Sequence, residues 1–275
     1  NNFIIRNLLK NKNNKKTIFI DKKKSISWKD LFNISNFNSK KLKKYNSKNV
    51  LIICDRSIET IIAIVTVILS GKTFCPISEK TPIEKIKFIM KKLETNLIIN
   101  VAKKDITDSK FEIIQIKKKI KVKYKKIIYN NFNNNNCYIL FTSGSTGEPK
   151  GVILTYENLQ NTVNWSKTYL RWKKSDVIGI ATNFSFDISM FDFISSINHN
   201  ISGFIFSKPE NPVTTYNEIN KFKVTSIFSV PNFFSNFVYY NLISKKFSRL
   251  RRIISGGDFF PPKVINIWKK QHPKI

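Results

Sequence analysis

The sequence predicts an α/β fold, with layered, largely parallel sheets and flanking helices. Short apolar runs of strand length recur, as in Val50–Cys54, Leu97–Asn100, Tyr138–Phe141 and Val177–Ile180. Between them lie longer stretches of helical length. Gly71, Pro82, Pro231 and Pro261 mark where those helices start or stop. Strands alternating with helices favour a largely parallel sheet.

In chain order, Thr17–Asp21 and Ser25–Trp28 read as a short strand pair. Ser25 or Ser27 can cap a helix running from Trp28 to about Lys44. Val50–Cys54 suits a buried strand, and Glu59–Ser70 a helix closed by Gly71. Phe74–Pro76 is a brief strand, and Pro82–Lys92 a helix with proline in its first turn. Leu97–Asn100 is the next strand. The charged, Asn-rich stretch from Lys103 to Asn136 reads as a weak hairpin and a linker. Strands then follow at Tyr138–Phe141, Val152–Leu154, Val177–Ile180, Phe204–Phe206, Thr225–Ser229 and Arg252–Ser255. Helices are expected over Glu157–Leu170, Ile188–Ile197, Pro231–Tyr240 and from Pro261 to about Lys270.

The formal net charge of +30 suggests a polyanion partner. Arginine, however, stands only at positions 6, 56, 171, 249, 251 and 252, so lysine carries most of the charge. Nucleic-acid readers use arginine for bidentate contacts. Lys, Asn, Ile and Phe share A/T-rich codons, so base composition accounts for the bias and a nucleic-acid role is disfavoured. Cys54, Cys75 and Cys137 are widely spaced and form no Cys-x-x-Cys pair. They read as buried thiols of a cytoplasmic protein, with no metal site. His199 and His272 are the only histidines, too few for a histidine metal site or triad. The longest apolar run, Ile61–Leu69, is too short to span a bilayer.

The segment Thr142-Ser-Gly-Ser-Thr-Gly-Glu-Pro-Lys-Gly151 follows a buried strand and suits phosphate binding. Gly144, Gly147 and Gly151 let backbone N–H groups approach an anion. Thr142, Ser143, Ser145 and Thr146 add hydroxyls, and Lys150 adds a compact positive charge. A Walker loop is excluded, because Glu148 follows Gly147.

This loop resembles the ATP-phosphate loop of the adenylate-forming (AMP-binding) superfamily. That family includes acyl-CoA synthetases, luciferases and the adenylation domains of nonribosomal peptide synthetases. The likeness runs over most of the chain. LSGKTFCPISEKTPIEKIKFIM (Leu69–Met90) resembles an early family block, with Ser78 where Asp is usual. Phe141 stands where Tyr is common, and Gly256-Gly257-Asp258 resembles a later Gly-Gly-Glu. The resemblance implies the incomplete large N-terminal domain of the adenylate-forming fold, in two sub-lobes at roughly 1–130 and 137–275.

Asn183-Phe-Ser-Phe-Asp-Ile-Ser-Met-Phe191 resembles the Phe-Asp-x-Ser block of the amino-acid-activating members. Those members include peptide-synthetase adenylation domains and D-alanine–carrier protein ligases. The resemblance places Asp187 against a substrate ammonium group, a charge-assisted pairing. Capping of the following helix is the other role open to Asp187. By the same likeness, Ile188, Phe191, Ser229, Ile254 and Gly256 fall around the substrate side chain.

The implied activity is ATP-dependent formation of an aminoacyl-adenylate, with Mg²⁺ bound mainly through ATP. The acyl group then passes to the phosphopantetheine thiol of a carrier protein. Two alternatives stand beside it: an acyl-CoA or fatty-acyl-AMP ligase, and a truncated, non-catalytic nucleotide-binding protein. The family continues beyond the position of Ile275 with a Tyr-Gly-Pro-Thr-Glu block, a ribose-binding Asp and a C-terminal domain bearing a catalytic Lys. The resemblance therefore assigns no catalytic residue up to Ile275. The chain is expected to be part of a longer protein and to lack adenylation activity alone.

Overall fold

The computed structural model describes residues 2–106, 108–118, 135–142 and 148–275. The chain opens with α1 (Phe3–Lys10), β1 (Thr17–Ile20), β2 (Ser25–Ser27) and α2 (Trp28–Leu42). Next come β3 (Asn49–Cys54), α3 (Ile58–Ser70), β4 (Thr73–Ser78), α4 (Ile83–Lys92), β5 (Leu97–Asn100) and β6 (Glu112–Ile113). The second half holds β7 (Asn136–Thr142), β8 (Lys150–Thr155), α5 (Tyr156–Leu170), β9 (Val177–Ile180), α6 (Asp187–His199) and β10 (Ser202–Ile205). It ends with α7 (Pro212–Lys221), β11 (Ser226–Ser229), α8 (Pro231–Tyr239), β12 (Arg252–Ser255) and α9 (Pro262–Gln271).

Local chemistry sets these boundaries. The Ser27 hydroxyl accepts from the Asp30 N–H at 3.1 Å and starts α2. Thr155 and Asn158 form a reciprocal capping box at the start of α5. Gly71 closes α3 at φ 80°, a left-handed position that costs other residues energy. Pro82 and Pro261 stand at the N-cap of their helices, one residue before the expected place in the first turn. Helices α1 and α7 had no counterpart in the sequence expectation.

The strands form two six-stranded sheets. One runs β12-β11-β9-β10-β1-β2 and is parallel except for β2. The other runs β6-β5-β3-β4-β7-β8 and is parallel except for β8. Neither sheet is contiguous in sequence. β1 and β2 join strands from the second half, while β7 and β8 complete the sheet of the first. The expected boundary between 130 and 137 therefore does not separate the sheets. The expected hairpin in 103–136 lies partly outside the described residues. Its described strand, β6, pairs in parallel with β5.

One apolar core serves both sheets. It contains Phe19, Ile180 and Ile205 from one sheet and Val50, Ile52 and Phe74 from the other, with Trp28 and Leu31 of α2. Loops after parallel strands gather at one end of a sheet, where α/β proteins bind ligands. Arg56, just after β3, donates to the Ala181 carbonyl, just after β9, at 2.9 Å. That bond ties the loop ends of the two sheets together. Among the described residues, no helix is long and apolar enough to cross a membrane.

Candidate functional site

β7 and β8 form the stem of the predicted phosphate loop. Thr142 and Lys150 are register partners, as are Phe141 and Gly151. The loop's two ends are thus held together by the antiparallel ladder. Ser143, Gly144, Ser145, Thr146 and Gly147 lie outside the described residues. Lys150 is exposed, and a cleft of about 470 Å³ beside it is lined by Lys92, Phe141, Glu148, Pro149 and Gly151. Lys92 stands 4.0 Å from Glu148 across this cleft. The φ of Gly151 is not positive. Crowding favours glycine there: a Cβ would come 3.2 Å from side-chain atoms of both Ile139 and Phe141.

A second cavity, of about 350 Å³, lies between α5 and α6. Asp187, Ile188 and Phe191 line it together. Ile194 and Ser195 extend the same face of α6. The facing wall is α5, through Asn158, Leu159, Thr162, Val163 and Trp165. Tyr138 of β7, Leu154 of β8 and Phe228 of β11 close the remaining sides. Edge-to-face aromatic contacts fix the wall: Phe191 to Phe228 at 5.2 Å and Phe191 to Trp165 at 6.2 Å.

Asp187 is exposed. It is the first residue of α6, while Phe186 is the N-cap and makes no side-chain cap bond. The Asp187 Oδ1 accepts from the next backbone N–H, that of Ile188, at 2.8 Å. Its carboxylate is therefore at the helix start without being the cap, and faces a partly positive helix end. Burial raises the pKa of the Tyr138 phenol, and the nearby charges of Cys137 and Asp187 raise it further.

Ser229, Ile254 and Gly256 stand next to the cavity but do not line it. The β11 residue that does is Phe228, one position before Ser229. Side chains alternate along a strand, so the buried Ser229 points to the other face. Ile254 is the register partner of Phe228. A Cβ on Gly256 would come 3.2 Å from the Phe228 ring. The α5 wall is the part that the sequence motifs did not indicate. Its signal is a helical stripe, with Leu159 and Val163 four apart and Asn158, Thr162 and Trp165 alongside.

Ile275 lines neither the cleft nor the cavity above. It packs, partly buried, against the aromatic core beneath α8 and α9, which includes Phe234, Phe237 and Trp268. With Ile253, Phe260 and Trp268 it borders a smaller cavity of about 270 Å³, and its backbone N–H donates to the His272 carbonyl at 3.0 Å. These contacts make Ile275 a packing residue rather than part of the site.

Two buried polar side chains of α6 lack partners among the described residues: the Ser195 hydroxyl, and Asp192 through both carboxyl oxygens. Burial holds the Asp192 carboxyl far above the usual range and so keeps it protonated. Among the described residues, no group of three or more His, Cys, Asp or Glu is placed to hold a metal ion.

A family model described as AMP-binding enzyme matches residues 8–275. Bacitracin synthase 3 of Bacillus licheniformis is 26% identical over 94% of this chain. The chain spans only 4% of that protein's length. The Vibrio cholerae adenylation domain AlmE, solved with glycyl-adenosine-5'-phosphate, aligns over all of this chain and 58% of its own. Its TM-score is 0.81 at 18% identity. The nonribosomal peptide synthetase FmoA3, solved with alpha-methyl-L-serine-AMP, aligns over 99% of this chain and 32% of its own. Its TM-score is 0.88 at 14% identity, and at such identities the likeness establishes the fold alone.

Proposed function

Since the chain belongs to the AMP-binding enzyme family, we propose that its protein activates an amino-acid carboxylate with ATP as an acyl-adenylate. The observation that carries the amino-acid part is Asp187. It puts a carboxylate at the edge of a mostly apolar cavity, beside Ile188 and Phe191. A fixed anion there favours an ammonium group through charge-assisted hydrogen bonds. The bacitracin synthase relative and the adenylates bound in AlmE and FmoA3 support the same reading.

In this proposal the substrate carboxylate attacks the α-phosphorus of ATP, and the bond to pyrophosphate breaks. β7 links the two places involved, with Tyr138 on the cavity and Thr142 at the loop. The four residue steps between them span about 13 Å, within reach of one extended substrate pair. The Thr142 hydroxyl and the Lys150 ammonium suit a phosphate by their chemistry, and the ladder holds them at opposite ends of one loop. Mg²⁺ would offset phosphate charge, entering with the nucleotide. The acyl group would then go to a carrier-protein phosphopantetheine thiol, with release of AMP.

Amino-acid-dependent ATP–pyrophosphate exchange, measured on the protein that carries this chain, tests the reading. Exchange is expected with amino acids, and Asp187→Ala is expected to abolish most of it. The apolar lining favours a second reading, a simple acyl substrate. Exchange with unsubstituted carboxylic acids only, indifferent to Asp187→Ala, would establish that reading instead.

A further inference from the structure

We infer that the cavity is built for an amino acid whose side chain is an aromatic ring ending in a hydroxyl, with Ser195 reading that hydroxyl. This rests on the amino-acid reading of Asp187 given above.

The first argument is the contrast among the serines of α6. Ser189 returns its hydroxyl to the Phe186 carbonyl at 2.6 Å, and Ser196 does the same to the Asp192 carbonyl at 2.9 Å. Such back-bonding is how a helical serine normally satisfies itself away from water. Ser195 is fully buried, makes no such bond and belongs to the cavity wall. A buried unpaired hydroxyl costs roughly 1–3 kcal/mol. Asp192, three residues earlier on the same side of the helix, is also buried and unpaired. Of these two unpaired groups only Ser195 lines the cavity, at the far end of the α6 wall from Asp187.

The second argument is distance. Asp187 and Ser195 are eight residues apart on one helix, about 12 Å along its axis. Subtracting one hydrogen bond of about 2.8 Å at each end leaves roughly 6 Å for the ligand. A substrate hydroxyl on the β-carbon sits much nearer its own ammonium group and cannot serve both residues. A ring between the two polar ends supplies the length. The rings of Phe191, Phe228 and Trp165 supply matching faces and edges for it.

The test is pyrophosphate exchange by the protein that carries this chain, with tyrosine and phenylalanine of both hands. Wild type is expected to prefer tyrosine by about 10-fold or more in kcat/KM, because the site otherwise leaves a polar group unpaired. Ser195→Ala should bring the ratio close to one, and Ser195→Thr, which keeps the hydroxyl, should restore a preference. A ratio that Ser195→Ala leaves unchanged, with amino acids still activated, overturns this inference alone. So does a wild type that prefers phenylalanine or an aliphatic amino acid, a result independent of whether the variants fold. Exchange with simple acids only overturns the Asp187 reading, and this inference with it.

Discussion

Helices α3 and α6 are both thirteen residues long and both almost wholly buried, yet they are built from different material. α3 reads IETIIAIVTVILS and is apolar nearly all round, as suits a helix surrounded by protein. Most of its buried polar groups are provided for: Glu59 pairs with Lys24, and the Thr60 hydroxyl donates to the Asp55 carbonyl at 2.9 Å, while the Thr66 hydroxyl has no partner among the described residues. α6 reads DISMFDFISSINH and buries Ser189, Asp192, Ser195 and Ser196. Two of those four have no partner among the described residues. α3 is almost entirely a packing element. α6 carries more buried polar groups, and one of the unpaired ones, Ser195, stands where a cavity opens along the helix.

The largest expected effect comes from damaging α3. Ile64 is completely buried, so Ile64→Ala should lower unfolding stability by about 2–5 kcal/mol through lost burial and a residual cavity. Denaturant unfolding checks this, and a loss under about 1 kcal/mol would show that α3 is less tightly packed than described. Asp187→Ala in α6 should do the reverse. Asp187 is exposed, so the fold should be little affected. Amino-acid-dependent exchange should fall about 10–100-fold, the worth of one charge-assisted hydrogen bond. If stability fell and relative activity did not, the division of labour between the helices would be wrong.

What the sequence made legible follows the same division. The strands and most helices were readable because their ends carry chemistry: Ser27, Thr155, Gly71 and the prolines act locally. Helix α1 was harder, because its apolar stretch is short and is followed closely by Asn and Lys residues. Asp187, Ile188 and Phe191 were readable as a motif, and the fold brings them to one cavity. Ser229 shows the limit of such reading. A shift of one residue along a strand exchanges the two faces, so its neighbour Phe228 is the one that reaches the cavity. The α5 wall was readable as a helix, but a periodic stripe does not reveal what packs against it. The partners of Asp192 and Ser195 are set by tertiary packing, so their lack of partners was invisible in sequence.

A smaller effect separates stability from function within α6 itself. Leucine matches aspartate closely in side-chain shape, so Asp192→Leu replaces an unpaired polar group with an apolar one. At neutral pH this should raise stability by about 1–3 kcal/mol. Asp192 is not among the cavity-lining residues, so discrimination between tyrosine and phenylalanine should change less than stability does. A destabilised Asp192→Leu protein would mean that Asp192 has a partner in solution.

The smallest effect is one of pH, and here Asp192 and His199 work in opposite directions. Burial, helped by Lys167, pushes the His199 pKa down to about 4. Its Nε2 lies 3.0 Å from the Ser166 hydroxyl. The unfolded chain takes up a proton near pH 6.5, where native His199 does not. Stability is therefore lost as pH falls from about 6.5 towards 4, and this contribution is flat below both values. For Asp192 the native state holds its proton after the unfolded carboxyl has released it near pH 4, so stability falls as pH rises above that point. Asp176 adds a third dependence in a separate window. Despite the opposing effect of burial, hydrogen bonds from Arg251 and the Lys173 backbone keep its pKa below 3.8, so its contribution is lost only in stronger acid. Between pH 4 and 6.5 the two α6 groups partly cancel in the wild type, so a shallow dependence of Tm on pH is expected there. His199→Gln keeps a hydrogen-bonding side chain but cannot titrate, and should leave only the decline with rising pH. Asp192→Leu should leave only the rise. If both variants trace the wild-type curve, neither group is buried in solution as α6 places it.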